Sequence, residues 1–303
     1  MMSSADPYAE LVSLITRFTP EDGHVETAVD GLFLARKTSP SMPLHTAQWP
    51  CLALVVQGAK VVRVGEETLR YGVGDYLLVA LDMPVASCVI EATPEKPQIG
   101  LGMAIDVVRL GDLIRRIGVP RPATAADAMR GLAVNSAGPD LLDAVLRLVR
   151  LLDRPQDVAA MAPLIQDEIL YRLLTGPDAA RLLHITAGEG AGGGRVARAV
   201  GWLRDNYDQP LRIEALAEAV GMSESSLHHQ FKAVTAMTPL QYQKQLRLHE
   251  ARRLMLVEDA DVATAGFRVG YQSPSQFSRE YRRLYGLPPA RDVEAARRPL
   301  AAE

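Results

Sequence analysis

A chain of 303 residues with 48% hydrophobic and 23% charged side chains has room for two domains, each with its own core, and its composition is that of a globular protein. No apolar run approaches the roughly 20 residues that cross a bilayer, and the acidic amino terminus MMSSADPYAEL lacks a signal-peptide core, so a cytoplasmic protein is expected. Two cysteines, Cys51 and Cys88, are too few for a disulfide framework and lack the spacing of a zinc site, while the net charge of -3 hides a basic excess in one half.

Residues 6–18 predict a short amphipathic helix, with Leu11, Leu14, Ile15 and Phe18 on one side. From Val29 the pattern changes to short β-rich runs at 32–36, 52–56, 60–64, 68–71, 76–80, 86–91 and 99–105, punctuated by Gln57-Gly58, Gly65-Glu66, Gly72 and Gly74-Asp75. Strands at this spacing predict a small sandwich or barrel. A helical tail follows, with a stripe of Leu141, Leu142, Val145, Leu148, Val149 and Leu152 that suits either a dimer face or packing on the barrel. Residues 155–174 read as helix, which Pro163 must start or kink. Residues 188–194, GEGAGGG, hold five glycines in seven and read as a flexible tether. The expected organisation is therefore an amino-terminal part at 1–187, a linker at 188–194 and a carboxy-terminal part at 195–303.

The carboxy-terminal part says one thing twice. In IEALAEAVGMSESSLHHQFKAVTAMTP and VATAGFRVGYQSPSQFSREYRRLYGLPP, Ala217 answers Gly266, Gly221 answers Gly270, Leu227 answers Phe277, Phe231 answers Tyr281 and Pro239 answers Pro289, with one extra residue in the second turn. Each copy reads as a helix-turn-helix: a small residue where two helices cross, a Gly that ends the first helix, and Ser223 or Ser273 to cap the second. Each second helix buries only residues four apart, leaving a polar face that can lie in a major groove. Residues 239–257 predict a long helix between the copies, opened by Pro239. The charge divides accordingly: from Arg195 to Glu303 there are sixteen Lys and Arg against thirteen Asp and Glu, and before it seventeen against twenty-three. Lys232, Lys244, Arg247, Arg252, Arg253, Arg279, Arg282 and Arg283 cluster on or near the helices expected to face DNA.

On GMSESSLHHQFK and VGYQSPSQFSREYRRLYGLPP, residues 211–293 resemble the DNA-binding domain of the AraC/XylS family of transcriptional regulators, two helix-turn-helix units joined by a long helix. Gly266 departs from the family's usual Ala, at a cost of about 1 kcal/mol in a helix interior. QGAKVVRVGEETLRYGVGDYLLVALDMP, within residues 28–105, resembles the cupin-type sensory domain of one branch of that family. The resemblance implies an α+β multidomain fold, with a cupin or jelly-roll-like amino-terminal β-barrel that holds a ligand, a helical tail that dimerises, and an all-α double helix-turn-helix. It implies a transcription regulator with double-stranded DNA, a small-molecule effector, a second copy of itself and, for an activator, RNA polymerase as partners.

By side-chain chemistry, Ser225, Ser226, His229 and Gln230 on the first recognition helix and Ser275, Gln276, Arg279 and Arg283 on the second are expected at base edges, since Gln pairs with adenine and Arg with guanine. Glu224 and Ser278 share those faces. Ser223, Lys232, Arg253, Ser273 and Arg282 are expected at phosphates, the two serines by helix starts. His45, Trp49, Gln57 and Tyr71 are the expected effector contacts. No cofactor, metal or catalytic residue is expected: His24, His45 and His184 form no HxH pair, adjacent His228 and His229 point apart, and no nucleophile motif stands out. Cys51 and Cys88 lack a local cation to activate a thiolate and read as buried packing. A cupin-like enzyme with a DNA-targeting tail, and a constitutive binder whose barrel only dimerises, are the alternatives.

Overall fold

The computed structural model describes residues 6–118, 130–186 and 192–297. Helix α1 (Pro7–Phe18) starts where Asp6 accepts from the Tyr8 N–H, and lays Leu11, Leu14 and Ile15 on the sheet that follows. Ten strands then form two sheets, β1 (Gly23–Glu26), β2 (Leu32–Lys37), β3 (Leu44–Gln48), β4 (Cys51–Gln57), β5 (Ala59–Val64), β6 (Glu67–Gly72), β7 (Asp75–Val79), β8 (Met83–Glu91), β9 (Gln98–Ala104) and β10 (Leu132–Ser136). The larger runs β1-β2-β9-β4-β7-β10 and the smaller β3-β8-β5-β6, with every pairing antiparallel. The sheets face each other in jelly-roll fashion without closing into a continuous barrel. Strands β1, β3 and β10 carry no clear apolar alternation, and the sequence reading did not include them.

The larger sheet is apolar on both faces, which explains the near-continuous apolar run of β4. Leu32, Leu34, Leu52, Leu54, Ile99, Leu101 and Met103 face one way, onto α1, α3 (Pro139–Arg150) and α4 (Pro155–Leu174). Cys51, Val55, Leu77 and Val79 face the other, toward Val62, Val64 and Tyr71 of the smaller sheet. The Leu141–Leu152 stripe is buried in the first of these cores, so its apolar periodicity is satisfied within the chain rather than left for a dimer partner. Helix α4 runs through Pro163 instead of starting there, and the Arg109 guanidinium donates to the Pro163 carbonyl. Helices α2 (Val107–Ile117) and α5 (Ala179–Thr186) complete this half.

Of the glycine run expected as a linker, Gly192–Gly194 open helix α6 (Gly192–Asp205) and the preceding residues 188–191 lie outside the described ones. The carboxy-terminal half continues as α7 (Ile213–Ala219), α8 (Glu224–Thr235), α9 (Pro239–Val257), α10 (Val262–Arg268), α11 (Pro274–Tyr285) and α12 (Pro289–Arg297). The two halves do not keep separate cores: Val196, Leu203, Phe231 and Tyr242 join Val62, Val64, Met83 and Val85 in one cluster. Polar contacts fasten the same seam. Arg204 pairs with Asp82 at 2.8 Å, the Tyr242 hydroxyl donates to the Asp82 carbonyl, and the Gly131 N–H donates to Val234 at 2.8 Å. Among the described residues no helix is long and apolar enough to cross a membrane.

Candidate nucleic-acid interface and ligand cavity

Helix α8 begins where the Ser223 hydroxyl accepts from the Ser226 N–H at 3.3 Å, and α11 begins the same way, with Ser273 accepting from Gln276 at 3.3 Å. The preceding turns rest on Gly221 (φ +66°) and Gly270 (φ +89°), both left-handed. In the second turn Tyr271, at the place of Met222 in the first, is buried against Phe277 with ring centroids 5.3 Å apart and donates its hydroxyl to Glu280 at 2.8 Å. Leu227 and Phe231 anchor α8, and Phe277 and Tyr281 anchor α11, all fully buried. Gly266 is not simply a weaker helix residue. A Cβ there would stand 3.0 Å from the Phe277 ring, so the close crossing offsets what Ala would contribute to the helix.

Ser225, His229, Ser275, Gln276, Arg279 and Arg283 are exposed on α8 and α11, and Ser226 and Gln230 are half-buried. Gln230 turns back on its own helix, donating to the Ser226 hydroxyl at 3.0 Å, with its amide oxygen buried and unpartnered. Gln276 similarly donates to Glu280 at 3.1 Å. Lys232, Arg279, Arg282 and Arg283 are exposed, and their side chains make no hydrogen bond or ion pair to any described residue. The other expected cations are spoken for. Arg253 is gripped by Glu250 and Glu258, whose hydrogen bonds hold its guanidinium above the usual range, so a phosphate would compete with two carboxylates already in place. Arg252 pairs with Asp292 at 2.7 Å, Lys244 with Glu280 at 3.0 Å, and Arg247 donates to four main-chain carbonyls between the two units.

A cavity of about 340 Å³ lies between the two sheets. Its floor is made of small residues on the inner face of the larger sheet, Ala35, Ala53, Gly100, Gly102 and Ala104, with Phe33 and Trp49 beside them. Of the four expected effector contacts, Trp49 and Tyr71 line it. Gln57 does not: the register of β4 shifts between Val55 and Gln57, and the amide donates to the Pro97 carbonyl at 2.7 Å. His45 does not either, because it faces out of the smaller sheet onto the other half. Lys60 and Gln98, which are not among the expected contacts, also line the cavity. Lys60 was legible, since it shares a strand face with buried Val62 and Val64. Cys51 also lines the cavity, and burial pushes its thiol up to about 12, which agrees with an unreactive packing cysteine.

His45 meets His249 of α9 and Tyr285 of α11, with ring centroids 6.5 and 5.1 Å away. Both nitrogens of His249 are buried without a partner. Burial, with Arg63 and Arg252 near His45 against Asp292, lowers His45 to about 4, and burial, with His45 and Arg252, lowers His249 to about 3. Unfolded histidines titrate near 6.5, so below that pH the unfolded chain binds more protons and stability falls. The thermal midpoint is expected to hold above about pH 6.5 and drop toward pH 4. The drop should be shallower in His249→Leu, and equal slopes in differential scanning calorimetry would exclude this pair as the cause.

These features define a class, a double helix-turn-helix protein seated on a jelly-roll half with an internal cavity. The profile described as the AraC-type transcriptional regulator N-terminus matches residues 28–181, just over half of the chain, and a helix-turn-helix domain profile matches residues 216–294. The chain belongs to the AraC-type transcriptional regulators. It is 32% identical over 161 residues to the HTH-type transcriptional activator RhaS of Pectobacterium atrosepticum, covering 52% of this chain and 54% of that one. RhaS of Salmonella agona is 31% identical over 159 residues, 52% of this chain and 55% of that protein, so the chain spans about half the length of the curated relatives it matches. In fold it is similar to an apo ToxT variant from Vibrio cholerae, with a TM-score of 0.57 at 8% identity over 89% of this chain and 99% of that one. A ToxT structure with an unsaturated fatty acid bound gives 0.54 at 8% identity, over 87% and 93%.

Proposed function

We propose that this chain is a cytoplasmic, sequence-specific DNA-binding regulator of transcription, in which an effector-holding part at 1–187 is joined through 188–194 to a DNA-reading part at 195–303. The observation that supports it most is the pair α8 and α11, each capped by serine, buried only along one edge, and open on the other with cations that no carboxylate has claimed. Two such helices enter successive major grooves roughly 34 Å apart, so one chain reads a non-palindromic site. In this reading Arg279, Arg283, Gln276 and Ser275 on α11, with Ser225, Ser226, His229 and Gln230 on α8, meet bases. Lys232, Arg282 and the helix starts at Ser223 and Ser273 meet phosphates, and Gln230 first gives up its bond to Ser226. A homodimer would read two such sites and gain affinity from effective concentration, and an activator would also meet RNA polymerase. The cavity supports effector control, as does the ligand found in a ToxT structure of the same fold.

Arg279→Ala is expected to relax specificity at one base pair, costing about 1–3 kcal/mol there, whereas Lys232→Ala weakens all sites evenly and lowers the salt slope by about one. Binding isotherms on a site and its single-base variants at several salt concentrations distinguish the two. Unchanged isotherms in both would remove these residues from the interface.

A further inference from the structure

We propose that Lys60 is a carbonyl-capturing residue, and that the cavity takes a small apolar aldehyde as a reversible imine on its Nζ. The inference rests on the reading of this half as the effector-holding one and goes further, to the chemistry of the ligand. Among the polar side chains that line the cavity, half-buried Lys60 makes no side-chain hydrogen bond or ion pair to any described residue, and Gln98, only 2% exposed, makes no side-chain hydrogen bond; exposed His24 and Glu26 line it too. A polar group drawn out of water and left unpaired is costly, so a half-buried lysine and a buried glutamine on one largely apolar cavity point to a ligand that engages both.

The ligand's chemistry follows from what stands near the amine. Burial moves the Lys60 amine toward its neutral form, with the thiols of Cys51 and Cys88 acting against it, and exposed His24 and Glu26 stand on the same cavity. A neutral amine in an apolar pocket is a nucleophile for carbonyl carbon. Cys51 is the competing nucleophile in the same space, and burial keeps its thiol protonated. The aldehyde carbon bonds to Nζ while the Gln98 amide donates to the carbonyl oxygen. That oxygen takes both amine protons and leaves as water, giving a neutral imine that water can reverse. The small floor of Ala53, Gly100 and Gly102 leaves space for the apolar body.

The chain has five lysines, Lys37, Lys60, Lys96, Lys232 and Lys244, so the site of reaction is simple to read. The full chain is treated with octanal and cyanoborohydride at pH 7 and mapped by peptide mass spectrometry. Lys60 is expected to carry the reduced adduct at least about tenfold faster than any exposed lysine, because an ordinary lysine is almost wholly protonated there. Gln98→Leu should slow the labelling several-fold while Lys60→Met and Lys60→Arg abolish it at that peptide, with circular dichroism of all three unchanged. Labelling spread evenly over the five, or Lys60-dependent binding of octanoate without any octanal adduct, would overturn the proposal. DNA affinity measured on the labelled protein separates the two claims: an adduct at Lys60 that leaves DNA binding untouched defeats the effector reading alone, and DNA binding that responds to octanal without an adduct defeats the imine alone.

Discussion

Gly270→Ala is expected to destabilise the carboxy-terminal half by about 3–5 kcal/mol, whereas Gly221→Ala, the equivalent change in the first repeat, costs only about 1 kcal/mol. Both glycines are left-handed, at φ +89° and +66°, so both substitutions carry the cost of placing a Cβ in that conformation. Their surroundings differ. At Gly221 an added Cβ meets nothing within 4 Å, while at Gly270 it would stand 2.0 Å from the Asp208 carbonyl oxygen and 2.9 Å from Nη2 of Arg247. The neighbour is main chain, and it is held: Arg247 donates to Tyr207 at 2.6 Å, Gln209 at 2.8 Å and Gly270 itself at 3.0 Å. Relieving the clash therefore breaks charge-assisted bonds that join the loop after α6 to the second unit, each worth about 1.5–3 kcal/mol. Denaturant unfolding of the two variants gives the comparison, and a footprint should show the second half-site lost in Gly270→Ala with the first retained. Equal destabilisation of both variants would mean that the turn at Asp208 yields without cost.

That asymmetry was beyond the sequence, although the repeat itself was not. Gly221 and Gly270, Ser223 and Ser273, and the buried pairs four residues apart are local patterns, and the helix period makes local patterns sufficient. What a side chain meets from far along the chain is another matter. Arg247 read as a cation on or near the helices expected to face DNA and Arg253 as a phosphate contact, yet carbonyls near residue 208 hold the first and a carboxylate cluster the second. The Leu141–Leu152 stripe has the same period whether it meets another chain or its own sheet. In the strands, alternation told which residues share a face but not which face looks inward, and the shift at Val55–Gln57 broke even that, so Gln57 and His45 lie away from the cavity that Trp49 and Tyr71 line. Lys60 shows the reverse. A lysine in register with two buried valines is a local anomaly, and such an anomaly marks a place where packing alone does not explain the residue.

Asp178→Ala is expected to cost about 3–5 kcal/mol, the range for breaking a buried ion pair from one side. Asp178 is fully buried and accepts from the Tyr76 hydroxyl at 2.6 Å, from Asn135 at 3.0 Å and from the Arg181 guanidinium. It thus ties β7 and β10 to the start of α5, the last described helix before the glycine run. Its carboxylate also holds the Tyr76 hydroxyl protonated, burial and the bond both raising that group. Removing it takes an acceptor from three donors at once, one of them a cation whose side chain is only 8% exposed. The surface pair Arg17–Asp153, at the same 2.7 Å that a strong bond shows, should by contrast contribute under about 1 kcal/mol, since both partners are in water. The proper control is the double variant Asp178→Ala with Arg181→Met, which removes the buried cation along with its carboxylate and is expected to recover a large share of the loss. Arg181 also donates to the Arg130 carbonyl at 2.7 Å, and Arg130 reaches the Ala233 carbonyl of α8 at 3.3 Å, so the same loss should loosen the seam between the halves. Hydrogen exchange at Gly131, whose N–H donates to Val234 across that seam, measures the consequence: faster exchange in Asp178→Ala than in Arg17→Ala is expected, and unchanged protection there would confine the damage to the jelly-roll half.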